Sequence, residues 1–202
     1  MTDLTKYLSM AQKKKIEVMY KAYVDEGVKV RIPFIALSID EPAAVVRKYL
    51  LQKYGQNTKQ NIYAAECDYI SDTGLYKRFT DYYQLYVHQY ILMKELNTTV
   101  YIIVKYIVHH FDENKRNNEL TNLYLFFNQK MHQEWHKKGH KYKGIKEFTY
   151  YYINKELEYI ASAEQTEELL KYERELREYI MLVEVLEQKQ KTLECRNSKV
   201  IE

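Results

Sequence analysis

The sequence predicts an all-α protein, in which a basic N-terminal arm, part helical and part extended, precedes a bundle of about four or five helices. Three observations favour this class. The 202 residues include only 5 glycines and 2 prolines, too few for the many tight turns of a β-sandwich or barrel. Hydrophobic residues make up 46% of the chain, enough to build a core. From residue 72 onward, apolar residues recur at helical intervals.

The arm covers residues 1–71. An alternating, β-branched stretch at residues 28–39 predicts an extended linker or a short strand. Asp40 suits the N-cap of the helix that follows, and Gly27 and Gly55 suit the ends of two helices. The helices expected in the arm cover residues 3–26, 42–54 and 59–70.

The bundle covers residues 72–195, and residues 196–202 are expected to form a loose tail. A polar stretch at residues 112–118 predicts a loop. Residues 98–108 are rich in valine, isoleucine and tyrosine, so a strand there is the alternative to a helix. The helices expected in the bundle cover residues 73–96, 98–111, 119–138, 145–161 and 164–195. The last of these carries an apolar stripe of Leu169, Leu176, Ile180, Val183 and Leu186.

Charge is distributed unevenly along the chain. The net charge is +3 overall, but residues 147–194 contain 12 acidic and 6 basic residues. The rest of the chain is therefore basic, and the protein has a basic body followed by an acidic end. The 22 tyrosines provide rings with a polar hydroxyl, which suit wide, half-polar contacts with other subunits or with a nucleic-acid backbone.

Several classes of protein are excluded or disfavoured by simple patterns. Cys67 and Cys195 lie far apart and form no CxxC pair, which excludes a zinc knuckle and a thioredoxin-like site. The N-terminus lacks the apolar core of a signal peptide. The most apolar run, residues 99–108, is shorter than the roughly 20 residues of a membrane-spanning helix. We therefore expect no transmembrane segment and an intracellular protein, or one assembled inside a cell.

The stretch MHQEWHKKGHKYKG, residues 131–144, is the first candidate for chemistry. His132 and His136 are four residues apart and can chelate one ion, but His140 lies about 12 Å further along a continuing helix. Glu134 is about 200° around the helix from His132, so it cannot act beside the pair as in an HExxH hydrolase. The adjacent residues His109 and His110 diverge by about 100° on a helix and cannot share an ion.

Phosphate-loop, dinucleotide-binding and nucleophile-elbow motifs do not occur in the sequence either. We therefore predict no catalytic residues, no metal site, no cofactor and no enzyme activity. An enzyme that uses the histidine cluster is kept as the third hypothesis. The stretch from residue 131 to 144 is interpreted as the end of a helix that leads into a basic loop.

Basic residues interleaved with tyrosines are the stronger signal. Lysine and arginine bind phosphates with release of counterions, and tyrosine hydroxyls add contacts that do not depend on base sequence. Tyrosines occur at positions 20, 23, 49, 54 and 76, next to many of these cations. The candidate nucleic-acid-binding residues are Lys13, Lys14, Lys15, Lys21, Lys29, Arg31, Arg47, Lys48, Lys53, Lys77, Arg78, Lys137, Lys138, Lys141 and Lys143.

A helix, a glycine turn and a second helix are expected at residues 42–70, and this order also fits a helix-turn-helix motif. Its recognition helix would begin at Thr58, Lys59, Gln60 and Asn61. The alternative function is thus a helix-turn-helix DNA-binding regulator, or a replication-accessory protein of a phage or mobile element.

Length, composition and the order of a basic arm before a helical bundle together resemble the major capsid proteins of filamentous archaeal viruses, of the lipothrixvirus and rudivirus kind. The resemblance implies an arm that wraps double-stranded DNA and subunits that assemble into a helical filament. The partner would be a second copy or a related capsid chain, and the location the virion, or otherwise the cytoplasm. The first hypothesis is accordingly a structural protein that packages nucleic acid without reading its sequence.

Overall fold

The computed structural model describes residues 3–27, 30–55, 70–72, 77–79 and 85–198, and these residues are predominantly helical. The predicted all-α class is confirmed in this broad sense. The described residues contain eight α-helices over both units, where four or five were expected for the bundle, together with two small antiparallel sheets of two strands each. The chain separates into two compact units, Met1–Ile91 and Leu92–Glu202.

The first unit contains three helices packed in sequence order and a short hairpin. A 3-10 turn at Leu4–Tyr7 precedes them, and the last helix begins in this unit. The elements are α1 at Met10–Asp25, α2 at Ile32–Ile39, α3 at Ala43–Tyr54, β1 at Ile70–Asp72, β2 at Lys77–Phe79 and α4 at Val87–Glu95.

The helix predicted at residues 3–26 is confirmed from Met10 onward. Ser9 and Gln12 form a reciprocal capping box, with bonds of 3.2 Å and 2.9 Å, which fixes where α1 begins. Gly27 follows its end with a φ of 66°, a value that favours glycine. The helix predicted at residues 42–54 is confirmed as α3, and Gly55 ends it with a φ of 72°.

The extended linker expected at residues 28–39 is wrong for its second half, which is helix α2. Pro33 lies in the first turn, where no amide hydrogen is needed, so it does not oppose the helix. The buried residues Ile32, Ile35, Ala36 and Ile39 recur at helical spacing. Asp40 is not an N-cap: it ends α2 in the left-handed conformation, with a φ of 55°.

The helix predicted at residues 73–96 is wrong in its first part. Residues 70–72 and 77–79 pair as antiparallel strands, with Ile70 opposite Phe79, and the helix begins only at Val87. The helix predicted at residues 59–70 lies outside the described residues except for Ile70, which begins β1. The recognition-helix residues Thr58, Lys59, Gln60 and Asn61 also lie outside them.

The second unit is built around a β-hairpin and three longer helices. The hairpin strands pair with Ile107 opposite Phe126 and His110 opposite Leu123. The elements are α5 at Val100–Ile103, β3 at Ile107–His110, a 3-10 turn at Leu120–Asn122, β4 at Leu123–Phe126, α6 at Gln129–Lys138, a 3-10 turn at Gly139–Lys141, α7 at Ile145–Ser162 and α8 at Glu167–Ser198.

The hairpin corrects two predicted helices. Residues 98–111 form one helical turn and then a strand, and residues 119–138 form a 3-10 turn, a strand and only then a helix. Asn128 caps α6 by accepting a hydrogen bond from the amide of Met131 at 2.9 Å, so the helix cannot extend back toward residue 119. The loop expected at residues 112–118 is confirmed.

The two helices expected at the C-terminal end are confirmed. Of the predicted stripe on α8, Ile180 is half-buried, and the four buried members are Leu169, Leu176, Val183 and Leu186. The helix continues to Ser198, so the predicted tail is helical at residues 196–198, while residues 199–202 lie outside the described part of the chain. None of the described helices is long and apolar enough to span a membrane, as expected from the sequence.

Candidate metal centre

Strand β3 and helix α6 bring three histidines together. His109 lies on β3, and His132 and His136 lie one turn apart on α6. Nδ1 of His109 is 3.2 Å from Nε2 of His132, which is 3.1 Å from Nε2 of His136. One ring nitrogen from each histidine lies within 4.8 Å of the other two.

The two short separations, 3.1 Å and 3.2 Å, fit nitrogens that share one divalent cation. An ion that binds imidazole nitrogens at about 2.0–2.1 Å in tetrahedral geometry keeps them about 3.3 Å apart. Neutral imidazole is a ligand that zinc, nickel, copper and iron prefer, while magnesium and calcium prefer oxygen ligands. The cluster is therefore a candidate site for a transition-metal ion.

Direct hydrogen bonding between the rings accounts for the cluster less well. A neutral imidazole has one N–H donor and one acceptor nitrogen. Nε2 of His132 is the atom near both other rings, so it would have to serve both contacts with either one N–H or one lone pair. Three nitrogens that converge on one point are better explained as ligands of an ion.

The electrostatic state of the cluster also suits a metal. Burial, followed by the neighbouring rings of His132, His136 and His110, lowers the pKa of His109 from 6.5 to about 4. Burial, followed by His136, also lowers the pKa of His132. Both imidazoles are therefore neutral near pH 7, and a metal ion need not displace protons from them.

The lowered histidine pKa values predict that acid destabilises the metal-free protein. The unfolded chain, in which His109 has its ordinary pKa of 6.5, binds more protons than the folded chain at any pH between 6.5 and about 4. The free energy of unfolding should therefore fall as the pH drops below about 6.5 and continue to fall to about 4. Urea unfolding in the presence of a chelator at pH 7.5, 6 and 5 measures this.

The matched variant is His109→Gln, which removes the titrating ring from the same position. Its free energy of unfolding should depend less steeply on pH over the same interval. If the free energy of unfolding of the wild type rises as the pH drops from 6.5 to 5, the cluster does not hold neutral histidines with lowered pKa values.

The centre has an apolar wall and an open side. The Phe126 ring lies 5.4 Å from the His109 ring and 5.2 Å from the His132 ring, measured between centroids. Trp135, on the adjacent face of α6, packs on Phe126 at 6.4 Å. His109 is buried, His132 is half-buried and His136 is exposed. Three protein ligands with one of them exposed leave positions for water or a substrate, as in catalytic rather than structural metal sites.

His110 lies next to the centre in sequence but makes a different contact. Its Nε2 lies 3.1 Å from Oδ1 of Asn118, and the ring is 4% exposed. Burial is the main cause that lowers its pKa, so the ring is neutral at pH 7. Adjacent residues on a strand point to opposite faces, which keeps His110 out of the ligand set.

Glu134 does not serve the histidines, as its position in the sequence predicted. Its carboxylate lies 3.1 Å from Nζ of Lys138 and 3.8 Å from Nζ of Lys155. The side chain of His140, the third histidine of the stretch at residues 131–144, lies outside the described residues. His109 was the member that sequence reasoning did not connect with His132 and His136.

Many of the predicted nucleic-acid-binding residues in the first unit contact the protein itself. Lys48 lies 3.4 Å from the carboxylate of Asp3, and Lys53 forms an ion pair with Glu17. Lys15 donates a hydrogen bond of 2.6 Å to a backbone carbonyl of α2. These pairs reduce the charge that the unit can offer to phosphates.

The predicted association of cations with tyrosines occurs within the protein. Three of the predicted cations lie over tyrosine rings at 5.6–6.0 Å from the centroids: Lys13 over Tyr49, Lys53 over Tyr54 and Arg78 over Tyr86. Lys14, Lys21 and Arg31 are exposed, and Arg47 is half-buried. Lys29 and the side chain of Lys77 lie outside the described residues.

The predicted basic residues of the second unit directly follow the histidines of α6. Lys137, Lys138, Lys141 and Lys143 are all exposed. Lys138 forms an ion pair with Glu134. The other three extend from the end of α6 through the 3-10 turn and the loop before α7, so a cluster of cations begins one residue after His136.

No protein-family model matches this chain, and no curated protein or solved structure is similar to it at a significant level.

Proposed function

We propose that this protein is a metal-dependent hydrolase that cleaves phosphodiester bonds of nucleic acid at the three-histidine centre. The observation that carries the proposal is the convergence of His109, His132 and His136 within 4.8 Å at a centre that is open on the side of His136. The proposal departs from the sequence-based expectation of no enzyme activity, and it retains the expected nucleic-acid partner as the substrate.

A metal ion in this position suits hydrolysis. A divalent ion polarises a phosphoryl oxygen and lowers the pKa of a bound water molecule. The chain supplies three neutral ligands and no carboxylate among them, so the positive charge of the ion is not reduced by its ligands. A phosphodiester, which carries a negative charge, is therefore a favourable partner for the centre.

The lysines after α6 support a polyanionic substrate. Lys137, Lys141 and Lys143 are exposed and lie within seven residues of His136. Each cation that neutralises a phosphate releases counterions and so strengthens binding to nucleic acid. Lysines that follow the ligand helix directly are suited to bind phosphates that flank the scissile bond.

The direct test is hydrolysis by the purified protein after metal removal and reloading. Supercoiled plasmid, single-stranded DNA and an unstructured RNA are each incubated with zinc, cobalt, nickel, manganese or magnesium. We expect cleavage that requires a transition metal and that is lost in His136→Ala. The control Gln133→Ala, an exposed residue on the same helix, should cleave as the wild type does. Absence of cleavage of all three substrates with every ion would refute the proposal.

Removing the lysines after α6 should weaken substrate binding without removing the metal site. In the triple variant Lys137→Ala, Lys141→Ala, Lys143→Ala, we expect the slope of log Kd against log salt to fall by about 2–3, because each lysine that contacts a phosphate contributes about one unit. Fluorescence anisotropy with labelled duplex in a chelator measures the slope.

The matched control for the triple variant removes three exposed cations from α8: Lys171→Ala, Arg174→Ala, Lys191→Ala. Its slope should equal that of the wild type. Equal losses in the two triple variants would show that only net charge matters and that the lysines after α6 have no special part.

A second candidate function is the sequence-independent coating of DNA by the N-terminal arm. The exposed cations Lys14, Lys21 and Arg31 favour it, because they offer phosphate contacts that do not depend on base sequence. Negative-stain microscopy with and without duplex DNA distinguishes the two functions: DNA-dependent filaments support coating, and shortened DNA supports hydrolysis.

A further inference from the structure

A cavity of about 650 Å³ opens where α7 is followed by α8, beside the first turn of α6. α7 ends at Ser162 and α8 begins at Glu167, and both helices line the cavity together with Lys130 of α6. Sites for small molecules typically have volumes of roughly 300–1,000 Å³. None of the three clustered histidines lines this cavity, so it is a different site from the metal centre.

A buried carboxylate from α7 lies at this cavity. Glu156 is 6% exposed, and its Oε2 accepts a hydrogen bond of 2.7 Å from the Tyr172 hydroxyl of α8. A glutamine would accept the same hydrogen bond and connect the two helices without the cost of burying a charge. The contact with Tyr172 therefore explains a polar residue at this position but does not explain a charged one.

The second oxygen of Glu156 has no close hydrogen-bond donor in the described part of the chain. Nζ of Lys130 lies 3.9 Å from Oε1, which is beyond hydrogen-bond distance, and the Lys130 side chain is 70% exposed. Burial, followed by the charge of Glu156, raises the pKa of the Tyr152 hydroxyl to about 12, but this hydroxyl makes no hydrogen bond within the described residues. Oε1 is thus available to a donor that enters from the cavity.

The other walls of the cavity suit an organic cation. The rings of Tyr159 and Tyr172 line it, and the faces of tyrosine rings attract cations. Leu169 adds an apolar wall that can contact methylene groups. Two exposed carboxylates, Glu164 and Glu168, also line the cavity and can bind a second positive charge.

The lining charges favour a cation over an anion. Three carboxylates line the cavity against two lysines, Lys130 and Lys155. Nζ of Lys155 lies 3.8 Å from a carboxylate oxygen of Glu134, which is not among the lining residues, so its charge is offset there. Lys130 is then the cation that competes with a ligand for Glu156.

We propose that this cavity binds an aliphatic diamine or polyamine, with one ammonium group on Oε1 of Glu156 and a second near Glu164 and Glu168. A hydrogen bond from an ammonium group to a carboxylate is among the strong ones in proteins. A metal ion fits less well, because the carboxylates of the cavity are not among the described residues that converge on one point. The proposal goes beyond the proposed hydrolysis and does not depend on it.

The test is isothermal titration calorimetry of the full chain with cadaverine and with spermidine, in the presence of a chelator. Pentanediol, which has the length of cadaverine but no charge, should not bind. Glu156→Gln should lower the affinity for cadaverine roughly 10- to 100-fold, because it removes the charge that accepts the ammonium group. Glu158→Gln, the same change at an exposed position of the same helix, should bind as the wild type does. A wild type that binds neither amine, or equal affinities in the two variants, would overturn the proposal.

Two variants at exposed side chains decide the proposal if Glu156→Gln fails to fold. Lys130→Ala removes the competing cation and should bind cadaverine about two- to fivefold more tightly, the strength of a surface ion pair. Glu168→Gln should weaken the binding of cadaverine and leave that of pentylamine, which carries one charge, unchanged. Weaker binding of cadaverine in Lys130→Ala would show that the cavity favours an anion and so overturn the proposal. Equal losses for both amines in Glu168→Gln would overturn a ligand with two charges.

Discussion

Replacing His109 with alanine should lower the affinity of the protein for zinc or cobalt by at least about 100-fold. The change removes one of three ligands, and loss of a residue that only hydrogen-bonds to a ligand already costs about 10- to 100-fold. The remaining pair, His132 and His136, has nitrogens 3.1 Å apart on one helix and can still chelate an ion weakly. Competition with a chromophoric chelator at pH 7.5 measures the affinity.

The same measurement on variants of all three histidines tests whether they bind one ion together. His109→Ala, His132→Ala and His136→Ala should each reduce affinity, because each change removes the one nitrogen that the residue offers to the ion. His110→Gln, a change to the adjacent residue on the same strand, should leave affinity within about twofold. Retained affinity in His109→Ala together with loss in His136→Ala would assign the metal to the helix alone and exclude the hairpin.

Helices with a continuous apolar stripe could be predicted from the sequence. The periodicity that marks α8 places Leu169, Leu176, Val183 and Leu186 on one buried face, and the pattern needs no information from elsewhere in the chain. Glycines with positive φ at positions 27 and 55 likewise ended α1 and α3 where expected. Residues close together in sequence determine where these helices form and end, so the sequence pattern alone predicts them.

The hairpin could not be predicted in this way, because each of its strands is stabilised by the other, across a loop. Residues 98–108 suit a helix or a strand by composition. Residues 107–110 become a strand because they pair with residues 123–126 across the loop. A single-sequence pattern does not report such pairings. The metal centre was missed for the same reason, since the third ligand comes from the strand and the other two from a helix.

The metal centre was also missed because His109 and His110 were expected to lie on a helix. On a helix the two rings diverge by about 100°, and neither aligns with a distant pair. On a strand they point to opposite faces, which allows His109 to join the cluster while His110 contacts Asn118. The same two residues thus change from a pair that cannot share an ion into one ligand and one residue that contacts the loop.

Loss of metal in His109→Ala should remove cleavage at limiting cobalt, while His110→Gln should bind cobalt and cleave as the wild type does. Adjacent residues on a strand point to opposite faces, so His110 does not face the centre that His109 joins. The amide of glutamine can still donate to Oδ1 of Asn118, so the loop contact is conserved in kind. Single-turnover cleavage by the cobalt-loaded protein, with cobalt binding measured on the same sample, gives both quantities.

The pair of variants His109→Ala and His110→Gln separates the roles of neighbouring residues. The first should lose metal and activity together, and excess cobalt should restore part of the activity by filling the weakened site. The second should keep both its metal and its rate at every concentration of cobalt. If His110→Gln loses its rate while it keeps its metal, the three ligands with their ion are not sufficient for hydrolysis.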